Sequence, residues 1–364
     1  MRRIGILMLV VFVCLVSTAW PQAEPQWKYK IITYDAPGGG TGAGQGTTAN
    51  YINYFGAIVG YYVDSGNVYH GFLRTPSGKI TTFDAPGAGN GSGQGTGGWS
   101  INAAGAIAGE YADANGVEHG YLRAPSGEIT MFDVPGAGNG SGQGTLAYDI
   151  NDSGAIAGYY VDSGNVSHGF LRTPNGTFTP FDPTGSVDTF PDAGSGLNDF
   201  GMVAGFYYDS SYVGHGFVRA FNGTVATFDV SGAQFTAAAS INNLRVIAGD
   251  STDSSGVNHS FLRTPKGTIT PFDVKGAFGT TANNINDVGA IVGFYVDSSG
   301  ANHSFLRAPS GEITTFDAPG AGNGSSQGTV AVSNNLEGAI TGYYTDANNV
   351  VHGFLLPAER SWDR

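Results

Sequence analysis

The stretch Asp64-Ser65-Gly66-Asn67-Val68-Tyr69-His70-Gly71-Phe72-Leu73-Arg74 recurs in near copy along the chain. Its histidine returns as His119, His168, His215, His259, His303 and His352, and these seven are all the histidines present. Six residues ahead of each stands an aspartate: Asp64, Asp113, Asp162, Asp209, Asp253, Asp297 and Asp346. Successive histidines are 44 to 49 residues apart. The chain is a sevenfold array, so a role assigned to one copy has to hold for all.

Within one unit, four short segments rich in Ile, Val, Thr, Tyr and Phe are separated by Gly, Asn, Ser and Pro. They read as four antiparallel strands, a to d, joined by tight turns. No segment keeps a helical period. Four strands in about 40–50 residues is the spacing of a β-propeller blade. A β-solenoid with two coils per repeat competes with it, and the ends decide. The C-terminal copy stops after strand c, at 351–357, and the missing strand d lies at 29–38, which matches 78–87. That split lets the N-terminal strand complete the last blade and remove a free sheet edge. A linear solenoid gains nothing from it. The expected fold is all-β, a seven-bladed β-propeller with four antiparallel strands per blade, closed by the N-terminal strand. Blades are expected at 46–87, 95–136, 144–185, 192–232, 235–276, 279–320 and 328–357 with 27–38, and 358–364 as a tail.

Other recurrences suit blade physics. Asn53, Asn102, Asn151, Asn198, Asn242, Asn286 and Asn335 end strand a, where the side chain can close the turn into strand b. A mid-strand-b glycine, such as Gly60, is expected to allow close sheet-on-sheet approach. Four residues before each of these asparagines stands Ala or Gly, from Ala49 to Gly194 in the fourth copy, as expected for strands crowded at an axis.

Arg2 and Arg3 precede an apolar run, 4–16, and then Ser17-Thr18-Ala19. Residues 1–19 read as a secretory signal cleaved after Ala19, and the run is short for a membrane span. Its removal would take the formal charge from −13 to −15 and the only cysteine, Cys14, with it. A chain this acidic is a poor partner for nucleic acid or an anionic membrane. Without disulfides it must be stable through packing.

Repeats of the form Ile52-Asn53-x-x-Gly56-x-Ile58-x-Gly60, followed by His70-Gly71-Phe72, resemble the HAF repeat of bacterial secreted proteins. The resemblance spans nearly all of the chain after the signal, although Gly or Ser replaces the middle Ala of the tripeptide. It implies an extracellular repeat protein and brings no activity or functional residues with it.

The Asp–His pair is the first chemical candidate. Asp64 ends strand b and His70 begins strand c, so the carboxylate can accept from the imidazole and from turn amides. At about 4.8 Å per strand the seven histidines stand roughly 13 Å apart, against zinc–nitrogen bonds of about 2.1 Å. They cannot share a metal, and the pairs are expected to be structural fastenings. No metal or other cofactor is expected. A second recurring acid ends strand d: Asp35, Asp84, Asp133, Asp182, Asp229, Asp273 and Asp317. The glycine-rich loops that follow, such as 84–96, lack the spaced acids of calcium loops. Their lengths break the symmetry. From this Asp to the strand-a Asn the steps are 18, 18, 18, 16, 13, 13 and 18, giving a raised arc and a gap on one face.

A single site needs asymmetry, so residues that depart from the repeat are the candidates for binding. They are Trp99, Glu110, Tyr148, Asp149, Asp188, Asp192 and Tyr212, with Arg245 and Asp250 nearby in the fifth copy. An aromatic beside an acid suits carbohydrate stacking with a hydrogen-bond acceptor. No nucleophile–base pair stands out, and catalysis would fall to Glu110 and Asp149. The expected protein is a secreted, non-enzymatic monomer, at the cell surface or in the periplasm, that binds a glycan or an extracellular protein. A polysaccharide-acting hydrolase or lyase, and a structural surface protein without a small ligand, are the alternatives.

Overall fold

In a computed structural model the described residues are 30–191 and 195–358; the stretch 1–19 expected to be a signal, Asp192, Gly194 and the tail from 359 lie outside them. The described residues hold 28 strands and no helix. Strands a, b, c and d of the first set are Gly46–Ile52, Ile58–Val63, Tyr69–Arg74 and Ile80–Phe83, each antiparallel to the next. The pattern repeats in sets that open at Gly95, Gly144, Ser186, Phe235, Gly279 and Gly328. The last set has three strands of its own, ending with Val351–Leu356, and its fourth is Ile32–Tyr34, paired antiparallel to it.

The core lies between neighbouring sets. Strand c buries one aromatic ring completely in every set: Phe72, Tyr121, Phe170, Phe217, Phe261, Phe305 and Phe354. The arginine ending strand c lies over the strand-d aromatic of the preceding set, as Arg123 over Phe83 at 4.9 Å and Arg263 over Phe228 at 4.5 Å. These guanidiniums are held in packing by cation–π attraction.

Asparagine ties the sets together. Asn53 Oδ1 accepts from the Ala57 amide at 2.9 Å and closes its own turn. Its Nδ2 donates to the Asn102 carbonyl of the next set at 3.0 Å. Asn102, Asn151, Asn198, Asn242 and Asn286 each donate onward in the same way. Asn335 donates to the Asn53 carbonyl at 3.1 Å, so the chain of bonds returns to its start. The turn role follows from sequence, but the inter-set bond does not.

Two expectations need correction. A Cβ on Gly60 would stand 2.1 Å from the Thr48 carbonyl oxygen and 2.8 Å from the Phe72 ring. The close approach is therefore within one set, not between sheets. In the fourth set strand a is Ser186–Pro191, so the set opens ahead of the expected boundary at 192. Pro191 faces the strand-b glycine Gly205. Extra residues between Pro191 and Asn198 had masked a short loop. From the strand-d Asp to the residue facing that glycine there are nine steps in Asp182–Pro191, Asp229–Ala238 and Asp273–Ala282, against fourteen in Asp84–Gly98. Three consecutive connections are short, not two.

Candidate functional site at the wider axial opening

Each histidine sits between two carboxylates. His70 Nδ1 is 2.8 Å from Asp84 Oδ1 on strand d, and its Nε2 is 3.6 Å from Asp64 Oδ2. All seven copies keep 2.8–2.9 Å to the strand-d acid and 3.4–3.9 Å to the hairpin acid. The close partner is thus the strand-d acid, fourteen residues on in six copies and Asp35 in the last, and the hairpin acid is the longer contact. Asp64 Oδ1 instead takes the turn amides of Gly66 and Val68 at 2.7 and 2.9 Å. The Val68 amide leads in holding this carboxyl below its usual range. The imidazole stacks on Tyr62 at 4.8 Å. In the fifth set Ser251 replaces that tyrosine, and His259 rises to 38% exposure against 20–26% elsewhere.

The asymmetric residues gather elsewhere. In six sets strand a carries one extra residue where the register slips, namely Asn50, Trp99, Tyr148, Ala239, Asn283 and Val332. Such a bulge re-aims a side chain. Five of these residues line an axial cavity of about 570 Å³, and the sixth, Tyr148, packs edge-on against Trp99 at 4.9 Å. A smaller cavity, of about 350 Å³, lies toward the asparagine turns, and Ser195 lines both.

Glu110 completes the cluster. It occupies the strand-b position held by Tyr61, Tyr159, Phe206, Phe294 and Tyr343 in five other sets and by Asp250 in the fifth. Its cross-strand partner is Gly97, so no side chain stands opposite. A Cβ there would lie 3.2 Å from Trp99 Nε1 and 3.3 Å from Glu110 Oε1. Burial pushes the Glu110 carboxyl well up, and the Trp99 indole offsets part of that shift. Neither Trp99 Nε1 nor Glu110 Oε2 completes a hydrogen bond of good geometry, although both atoms are buried. Across the cavity, burial also raises Asp250, to about 6.

From Trp99 the aromatic contacts continue through Tyr148, Tyr159, Phe190 and Phe206 to Tyr208, with centroid steps of 4.9 to 5.7 Å. Tyr212 extends the row by 6.4 Å. It is 74% exposed and has a φ of 57°. Asn67, Asn165 and Asn349 hold the corresponding hairpin position. A bulky residue in that backbone region is an outlier worth a functional reading.

The other candidates separate from this cluster. Asp149 is buried and its Oδ2 accepts from the Gly196 amide at 2.7 Å. Burial raises its pKa well up. It lies on the next set, with its carboxyl committed to backbone, so the carboxylate pair with Glu110 is not assembled. Asp188 Oδ1 accepts from the Ser167 amide at 2.9 Å. The matching strand-c amides of Tyr69 and Glu118 bond instead to the carbonyls of Gln94 and Gln143 in the long loops. Asp188 thus supplies the acceptor that the long loops supply in the other sets. Asp192 lies outside the described residues. Arg245 carries a φ of 64° at a turn position held by glycine in other sets. Sequence reasoning missed Tyr61, Tyr159 and Asn50, because an aromatic repeated on strand b looks like core and a bulge leaves no mark in the residue pattern.

No family model matches the chain, and no curated protein matches it. Solved structures do. It is similar to virginiamycin B lyase from Staphylococcus aureus at 13% identity, with a TM-score of 0.55 over 90% of this chain and 99% of that one. It is similar to the β-propeller domain of the Trilobed protease from Pyrococcus furiosus at 11% identity, with a TM-score of 0.56 over 86% and 96%. It is also similar to the BP39L lectin from Burkholderia pseudomallei at 10% identity, with a TM-score of 0.55 over 85% and 94%. At such identities the likeness shows the fold alone: the chain is a β-propeller.

Proposed function

We propose that the chain is a secreted seven-bladed propeller, closed by its N-terminal strand and built from HAF-type repeats, that binds a glycan at the wider axial opening. The convergence of Trp99, Tyr148 and Glu110 carries this reading. The Trp99 indole, which lines the cavity, offers a flat face to a pyranose, and the Asp250 carboxyl, which lines it too, accepts from hydroxyls. The Asp35–His352 bond and the returning ring of asparagine bonds support closure. A lectin among the similar folds is compatible with this role.

A glycan array probed with the chain lacking residues 1–19, with and without calcium, tests the reading. Binding to one group of glycans that is lost in Trp99→Ala supports it. An empty array, or binding indifferent to Trp99, overturns it.

A further inference from the structure

The smaller cavity, at the asparagine turns, has a two-sided rim. Leu336, Tyr54 and Ala103 follow the strand-ending asparagine in the seventh, first and second sets. Asp152, Asp199, Asn243 and Asp287 hold that place in the third to sixth. All of them line the cavity, and no lysine or arginine does. One side of the rim is therefore apolar and the other acidic.

The charge exceeds what the fold asks for. Asp152 Oδ1 accepts from the Ala103 amide at 2.7 Å, Asp199 Oδ1 from the Asp152 amide at 2.9 Å, and Asp287 Oδ1 from the Asn243 amide at 2.8 Å. Asn243 Oδ1 makes the same tie to the Asp199 amide at 2.9 Å without a charge. Asp199 and Asp287 also converge on the one Nδ2 of Asn243, at 2.7 and 2.9 Å. Two carboxylates meeting at a neutral donor repel each other, and a cation between them relieves that repulsion. Asn334 adds a second demand. It fills the strand place held by Ile52, Ile101, Ile150, Ile241 and Ile285 in other sets. It lines the cavity, is 6% exposed, and its Oδ1 has no partner. Its Nδ2 already donates to the Ala290 carbonyl, so what it lacks is a donor.

One residue further along these turns, Phe55, Phe200, Leu244 and Val288 are exposed. Ala104, Ser153 and Glu337 fill that place in the other sets, so the turn itself does not require an apolar residue. The Asn335 bond to the Asn53 carbonyl makes the seventh and first turns neighbours. Exposed apolar side chains thus run through consecutive turns from Phe200, by way of Leu336, to Phe55. Such a patch beside a charged rim marks an interaction surface. The acids repel an anionic membrane, and Leu244 and Val288 offer a sugar neither a flat face nor a hydrogen bond.

We propose that this mouth docks a polypeptide segment carrying a lysine or arginine between apolar side chains. The cation enters between Asp152, Asp199 and Asp287, and its apolar neighbours cover Phe200, Leu244 and Val288. Charge complementarity sets the partner's sign, and the exposed turn tips set its flanks. The proposal is independent of the glycan reading, which concerns the wider opening.

The test is fluorescence anisotropy of labelled peptides with the chain lacking residues 1–19. One group carries a central lysine or arginine between varied apolar residues. Matched controls have a central glutamate, or serine in place of the apolar residues. The basic apolar peptides should bind at least tenfold tighter than either control, with an affinity that falls as salt rises. Asp199→Asn combined with Asp287→Asn keeps the oxygens that accept from backbone, as Asn243 does, and should remove most of the salt dependence. Leu244→Ser combined with Val288→Ser, matching Ser153 in the third turn, should weaken binding at least tenfold and leave the salt dependence in place. Thermal unfolding checks that both variants keep the fold. Binding by no peptide, equal binding of the glutamate controls, or affinity and salt dependence unchanged in both variants overturns the proposal. Self-association that is lost in Leu244→Ser, seen by light scattering, gives this face to a second copy and overturns it too.

Discussion

Asp35 and His352 are 317 residues apart in sequence, yet Asp35 Oδ1 lies 2.9 Å from His352 Nδ1. The same contact joins His70 to Asp84 within one continuous set. The last set therefore uses the N-terminal strand as its own strand d. Deleting residues 20–38 should free the edge of Val351–Leu356, lower the melting temperature and cause self-association. Calorimetry and light scattering check this. A deletion variant as stable and monomeric as its parent would show that the strand contributes nothing to closure.

Gly60 tests the packing inside a set. Its absent Cβ leaves room for the Thr48 carbonyl and the Phe72 ring. Gly60→Ala should cost about 1–3 kcal/mol by overpacking. Gly44 has open space around it and a φ of 77°. Gly44→Ala should cost about 1–2 kcal/mol from backbone strain alone. Denaturant unfolding of both variants measures the two costs, and Phe72→Leu should not restore Gly60→Ala, because the nearer clash is with the Thr48 backbone.

Asn242 holds a turn and a neighbouring set at once: its Oδ1 accepts from Val246 and its Nδ2 donates to Asn286. It is 3% exposed. Asn242→Ala should destabilise by about 2–3 kcal/mol, because both bonds are lost and the buried Asn286 carbonyl is stranded. Asn242→Asp keeps the acceptor, so it should retain the turn while losing the inter-set bond. Hydrogen exchange at Val246 would distinguish the two variants.

The acids respond to pH in opposite directions. The hairpin aspartates, such as Asp209, are held low by turn amides, led by that of Val213. Their contribution is present above the unfolded value of about 3.9 and is lost as pH falls through the depressed one. Asp250 is raised to about 6 by burial. Its contribution is complete below about 3.9 and is lost as pH rises through about 6. Asp250→Asn should therefore stabilise the protein at pH 7.5 and change little at pH 4. Melting temperatures across that range check the sign.

Much of the fold is legible in the repeat. Seven Asp–His stretches, the strand-ending asparagines and the split strand d all follow from residue spacing. The site is less so. Trp99, Glu110 and Tyr148 stand out because they break the repeat, but only the bulge shows that Trp99 faces the axis. Asp149 and Asp188 break it equally, yet their carboxylates bind backbone amides. Departure from a pattern marks where the environment differs, and hydrogen-bond partners decide whether the difference is structural. The insertion in the fourth set hid a short connection because residue counts cannot distinguish loop from strand.

Tyr212 separates stability from binding. Its φ of 57° strains a bulky residue, and its side chain is exposed at the end of the aromatic row. Tyr212→Asn should raise stability by about 1 kcal/mol. It should also weaken binding of long oligosaccharides more than short ones, as titrations with a length series would show.

Trp99 is the one tryptophan among the described residues; the others are Trp20, Trp27 and Trp362. Replacing those three with phenylalanine leaves a fluorophore at the candidate site. Titration of that variant with the oligosaccharide selected on the array should shift the emission saturably, at the concentration where calorimetry shows binding. Glu110→Gln should weaken the response. Calorimetric binding with an unchanged Trp99 spectrum would place the ligand elsewhere and contradict a glycan site at this opening.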